Sequence, residues 1–146
     1  MAAKKRKAMA GGKRATETRE PRATEKPCVL FSFKHFHDAD DTGQSLSNWA
    51  EDNPGQLAGL LQKMAHISQQ TVPEARQDTT LTLYGRFPES ANTDFACPRH
   101  LQGQKNWGVI RNIGGQKPRA AGFLQGNIFY VVFLDKHHQF YKSSRR

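Results

Sequence analysis

The residues best suited to chemistry stand near the end of the chain, in Asp135-Lys136-His137-His138-Gln139-Phe140-Tyr141-Lys142. Histidine exchanges protons near neutral pH, because its reference pKa is about 6.5. Two histidines, a tyrosine and a lysine released together at a sheet margin are the kinds of group that cleave or grip RNA. Cleavage through the ribose 2′-hydroxyl requires a base for that proton, cations for the phosphate charge and an acid for the leaving oxygen.

Those groups need a rigid platform. Trp107–Ile113, Arg119–Leu124 and Ile128–Leu134 read as three consecutive strands. The run from Ile128 to Leu134 is apolar and rich in aromatic and β-branched residues, as in a strand covered on both faces. Gly126-Asn127 predicts a two-residue hairpin turn, and Gly114-Gly115-Gln116-Lys117-Pro118 a flexible basic loop. Upstream, Val29, Phe31, Phe33 and His35 fall on one face of a strand, followed by a polar turn over residues 37–43. A helical turn is expected near Leu46–Trp49. Asn53-Pro54-Gly55-Gln56 predicts a capped helix to about Ser68, with Leu57, Leu60, Leu61 and Met64 as its apolar stripe. Thr71-Val72-Pro73-Glu74 predicts a second, short helix through Arg76. Leu81, Leu83 and Phe87 mark another strand, and residues 88–106 a long surface loop.

The expected architecture is α+β: a twisted, mainly antiparallel sheet with one long and one short helix on one face. Residues 28–142 form the domain. Residues 1–27 precede it as a disordered basic arm, because Met1 and Met9 are their only large apolar side chains. Residues 143–146 make a basic tail.

Lys and Arg number 22 against 13 Asp and Glu, a formal charge of +9. The arm holds nine basic and three acidic residues, so most of the excess is there. RNA or a ribosome is the natural class of partner. Lys4, Lys5, Arg6, Lys7, Lys13 and Arg14 in the arm, with Lys117 in the basic loop, are the expected phosphate contacts. Two cysteines, Cys28 and Cys97, make no disulfide framework and fit a reducing, cytoplasmic setting. No apolar run is long enough to span a membrane, and the N-terminus lacks the apolar core of a secretion signal.

The layout resembles the RelE/ParE-like toxins, in which a helical hairpin packs on a twisted sheet. The resemblance rests on Ile110-Arg111-Asn112-Ile113, on Arg119-Ala120-Ala121-Gly122-Phe123 and on Gly126-Asn127-Ile128-Phe129-Tyr130-Val131-Val132. It implies metal-independent RNA cleavage by groups on the sheet. Arg111 and Arg119 would face the phosphate, and His137, His138, Tyr141 and Lys142 would supply acid and base. It also implies a ribosome and a protein antitoxin as partners, with no cofactor. Phe31-Ser32-Phe33-Lys34 and the stretch from Gly122 to Tyr141 are also similar to a group of small prokaryotic proteins. The Phe-rich first strand, the long middle loop and the long arm depart from the toxin layout.

Simpler accounts compete. Arg111 and Arg119 can be solvated edge charges, Asp135 can pair with a nearby lysine, and the histidines can form a polar strand end. If the last strand continues that far, alternation turns His137 and His138 to opposite faces, so that at most one meets a substrate. His35-Phe36-His37 and Cys97-Pro98-Arg99-His100 carry metal-ligand types, yet neither matches a zinc signature, and no metal site is expected. Gly11-Gly12-Lys13-Arg14 lacks the strand and helix of a phosphate loop. Trp49 and Trp107 are expected to be packed rather than to stack on bases. A non-catalytic nucleic-acid-binding or regulatory protein that uses its arm is the alternative function.

Overall fold

The computed structural model describes residues 26–142 apart from Asn53. The arm, save Lys26 and Pro27, therefore lies outside the described residues, as do the tail at 143–146 and the predicted Asn53 cap. Strand β1 (Leu30–Ser32) leads to helices α1 (Leu46–Asp52), α2 (Pro54–Ile67) and α3 (Val72–Gln77). Strand β2 (Leu81–Gly85) is followed by two 3-10 turns, Ser90–Asn92 and Arg99–Leu101. Strands β3 (Trp107–Ile110), β4 (Arg119–Gln125) and β5 (Ile128–Asp135) close the chain.

The sheet order is β1-β5-β4-β3-β2. Its three neighbouring pairs from β2 to β5 are antiparallel, and only β1 on β5 is parallel. The α+β class is as predicted, with the sheet twisted and mainly antiparallel. The hairpin between β4 and β5 turns at Gly126, whose φ of 60° suits a position that a side chain would strain. Asn127 then donates from Nδ2 to the Cys28 carbonyl at 2.8 Å, which ties the entry of β1 to the hairpin.

All three helices pack on one face. Leu60, Ile67 and Ala75 meet Leu81, Ile110, Ala120, Leu124 and Leu134 there, with Trp49 fully buried among them. Helix α3 starts with a capping box: Glu74 N–H donates to the Thr71 hydroxyl, and Thr71 N–H to the Glu74 carboxylate. The stripe of α2 differs from the predicted one at a single place. Leu61 is 57% exposed, while Ile67 joins the buried Leu60 and the partly buried Leu57 and Met64 in one row. Spacings of three and four keep 57, 60, 64 and 67 on one side, and Leu61 is turned about 100° from Leu60.

Among the described residues, no α-helix crosses the opposite face. The loop after β2 and the segment after β5 cover it, and their Phe95 and Phe140 share one buried cluster with Trp107, Phe123 and Phe133 of the strands. Both tryptophans are packed, as expected. Gly122 permits the close passage of β5, since a Cβ there would fall 1.8 Å from the Tyr130 carbonyl oxygen. The ladder shifts register beside it, between Ala121 and Gly122. The shift returns Phe133 and Asp135 to the helix-free face, opposite Ala121 and Arg119. Among the described residues, no helix is long and apolar enough to cross a membrane.

Candidate nucleic-acid interface

Alternation along each strand decides which polar groups meet at the far end of the helix-free face. Arg119 lies on the same side of β4 as Ala121 and Phe123, and it pairs in register with Asp135 at the end of β5. Arg111 follows β3 one position beyond Ile110, where its N–H donates to the Thr80 carbonyl at 3.0 Å. Tyr84 alternates with Leu83 on β2 and joins the aromatic cluster. Three strands thus deliver two guanidiniums and a carboxylate to one margin, while Tyr84 stands on the same face farther along β2, level with Trp107 and Gly108 of β3.

The segment after β5 is bent onto that margin by Asp135. Its carboxylate is completely buried and accepts hydrogen bonds from the backbone N–H of Gln139 at 2.9 Å and of Phe140 at 2.8 Å. The bend requires a left-handed residue, and His138 supplies it with φ 61°. Phe140 is then buried against Phe95, Phe133 and Trp107, and Tyr141 stacks on Tyr84 with centroids 4.0 Å apart and planes 17° apart. Asp135 is therefore a backbone anchor, not a partner chosen for a lysine.

The electrostatics follow from this crowding. Arg119 is only 3% exposed, so it is not a solvated edge charge. Its Nε donates to the Lys117 carbonyl at 2.9 Å and its Nη2 to the Gln116 carbonyl at 2.7 Å, which folds the 114–118 loop around it. Burial draws the Arg119 pKa down from its ordinary value, and Arg111 adds to this while Tyr84 and Asp135 oppose it. His138 is lowered first by burial and then by Arg119 and Arg111. Asp135 and a hydrogen bond to the Tyr141 backbone pull the other way. Burial pushes the Tyr84 phenol up, against the pull of Arg119 and Arg111. The Arg111 Nε is buried and has no hydrogen-bond partner. A buried donor in that state gains from any acceptor that reaches it.

Of the predicted site residues, Arg111, Arg119, His138 and Tyr141 come together. His137 does not: it is exposed in a separate depression lined by Asp40, Asp41, Asn48 and Lys136. Strand alternation is not the reason, because β5 ends at Asp135 and both histidines lie in the turn that follows it. Lys142 is tied by its Nζ to Asp94 at 2.8 Å. Lys117 is exposed on the loop that Arg119 holds. The arm lysines and arginines lie outside the described residues.

Sequence reasoning missed Tyr84. Its signal was present in Leu81-Thr82-Leu83-Tyr84, whose apolar positions leave Thr82 and Tyr84 on the other face. A depression of about 620 Å³ adjoins the cluster, with the Tyr84–Tyr141 pair, Arg86 and Lys105 among its lining. The other candidate ligands are arranged differently from their sequence pairs. His37 Nε2 lies 2.7 Å from the Asp41 carboxylate, and the Cys97 thiol donates to the Leu101 carbonyl at 3.6 Å. His35 meets His100 instead. Among the described residues, no group of three or more His, Cys, Asp or Glu is placed to hold a metal ion.

No protein-family model matches the chain, no curated protein matches it, and no solved structure matches it.

Proposed function

We propose that the helix-free margin is an RNA-directed site that binds a backbone phosphate and cleaves beside it without a metal, as in a toxin of RelE/ParE-like type. The observation that carries this reading is that Arg111 and Arg119 act on both His138 and Tyr84 on the helix-free face, with Tyr141 stacked on Tyr84. Two guanidiniums face one carboxylate whose lone pairs are already engaged by backbone N–H groups, so the cluster has positive charge to spare. A phosphate would meet that charge at the partly exposed Arg111 side chain. His138, neutral because burial lowers its pKa, takes the 2′-hydroxyl proton. The 2′-oxygen attacks phosphorus, the bond to the 5′-oxygen breaks, and a tyrosine hydroxyl protonates that oxygen. The products are a 2′,3′-cyclic phosphate and a 5′-hydroxyl. The proton on the imidazole returns to the phenolate through solvent. The adjoining depression gives flanking nucleotides a place, with Arg86 and Lys105 beside it. A cytoplasmic setting, a ribosome and a protein antitoxin belong to the same proposal.

One observation favours a second reading. Arg119 is buried and spends two donors on loop carbonyls, so it supplies field rather than contact. A non-catalytic nucleic-acid-binding protein would need no more than that field and a basic arm.

Single-stranded RNA incubated with the protein in excess chelator separates the two. The enzyme reading expects cyclic-phosphate ends, lost about 100-fold or more in His138→Gln. Absence of cleavage by the wild type, or undiminished cleavage by the variant, ends it. The binding reading expects intact RNA, and an affinity that falls when Lys4, Lys5, Arg6 and Lys7 become Gln and that declines steeply with salt.

A further inference from the structure

Two imidazoles that are 65 residues apart in sequence meet on the surface, away from the guanidinium cluster. His35 Nδ1 and His100 Nε2 are 3.2 Å apart. His35 follows β1, and its ring rests against Tyr130 and Phe123, with centroids at 5.3 and 5.8 Å. Those two rings are themselves stacked at 4.9 Å. The His35 ring is thereby fixed in place before any ligand arrives. His100 belongs to the 3-10 turn Arg99–Leu101 and is exposed, so one side of the pair opens to solvent.

We propose that His35 and His100 form a two-histidine site for a divalent transition-metal ion such as zinc or copper, with His35 Nδ1 and His100 Nε2 as ligands and water completing the shell. A tetrahedral ion bound by imidazole at about 2.0–2.1 Å holds two such nitrogens roughly 3.3 Å apart, close to the observed spacing. Neutral imidazole is the ligand that zinc, copper and nickel prefer over harder cations. Without a metal, one ring donates a hydrogen bond to the other. The ion replaces that shared proton: the donor ring gives it up and takes a proton at its other ring nitrogen through solvent, so both rings stay neutral and no net proton is released. Two protein ligands leave coordination positions open, which makes the affinity modest and lets a further ligand join.

The consequence for the fold is a clip. The ion would join the segment leaving β1 to the loop between β2 and β3, and binding to the native state alone raises stability by mass action. The test titrates the full-length protein with zinc chloride, and separately with copper chloride, by calorimetry while the thermal midpoint is followed. One ion per chain is expected, bound more tightly for copper than for zinc, with a rise in midpoint. His35→Phe keeps an aromatic ring against Phe123 and Tyr130, and His100→Ala removes an exposed side chain, so the metal-free midpoints of both variants report folding. Each should weaken binding at least tenfold and abolish the rise, while His66→Ala, a histidine placed beside Asp78, should bind as the wild type. Absence of stoichiometric binding, or wild-type affinity in either His35→Phe or His100→Ala, overturns the site.

Discussion

The two faces of the sheet are both buried but are built from different materials. The helix face joins Leu60, Ile67, Leu81, Ile110 and Leu134, and its coverings satisfy their own backbone groups within helices. The other face is covered by loops, and its core is aromatic: Phe95, Trp107, Phe123, Phe133 and Phe140. Loop carbonyls need donors, and the buried Arg119 supplies them from this side. A helical covering offers few unpaired acceptors, so charged groups gather where loops do the covering. The sheet thus separates a mainly aliphatic, packed face from one where an aromatic core and the candidate chemistry lie together.

The largest test of that separation pairs two core truncations. Phe140→Ala should cost about 3–5 kcal/mol, and Leu60→Ala about 2–5 kcal/mol. In denaturant titrations both lose stability, but only Phe140→Ala should also weaken RNA binding by the folded fraction, since Phe140 seats Tyr141 and His138. Equal RNA affinity in the two variants would mean that the faces do not divide the labour.

Asp135→Ala should cost roughly 3 kcal/mol, because the N–H groups of Gln139 and Phe140 lose a buried charged acceptor. Hydrogen exchange would report it as faster exchange at those two amides than in the helices. Uniform acceleration throughout the chain would instead mark Asp135 as a global, not a local, support.

The smallest expected effect is on pH dependence. The folded-state pKa values of His35 and His138 are lowered, so an unfolded chain takes up protons first as pH falls through about 6.5. Stability is then full above that value and declines below it, levelling off once the folded-state histidines are protonated too. Denaturant midpoints at pH 8 and 5.5 should differ in that direction, and His138→Gln should shrink the difference. A midpoint that rises on acidification would reverse the argument.

Most of the architecture was legible because periodicity and turn chemistry are local. The capping box at Thr71 and Glu74, the Gly126 turn and the apolar run of β5 all announce themselves within a few residues. The row 57, 60, 64 and 67 was nearly legible; Leu61 misled because its type, not its phase, is apolar. The site was harder. Arg111, Arg119, His138 and Tyr141 could be named one by one, yet their meeting depends on a register shift beside Gly122 and on the Asp135 bend. The separation of His137 from His138 also came from that bend. The contact of His35 with His100 is a long-range event that no spacing rule encodes.

The parallel pairing of β1 with β5 sets a ruler. Leu30 aligns with Ile128, so the chain enters at the hairpin end, where Lys26 and Pro27 lie near Gly126 and Asn127. The guanidiniums stand at the other end, beside Asp135, seven residue steps or about 23 Å away at the usual strand rise. If the cluster is the proposed RNA site, a dinucleotide would fill it alone, whereas only an oligomer running the whole strand length would touch it and the root of the N-terminal segment at once.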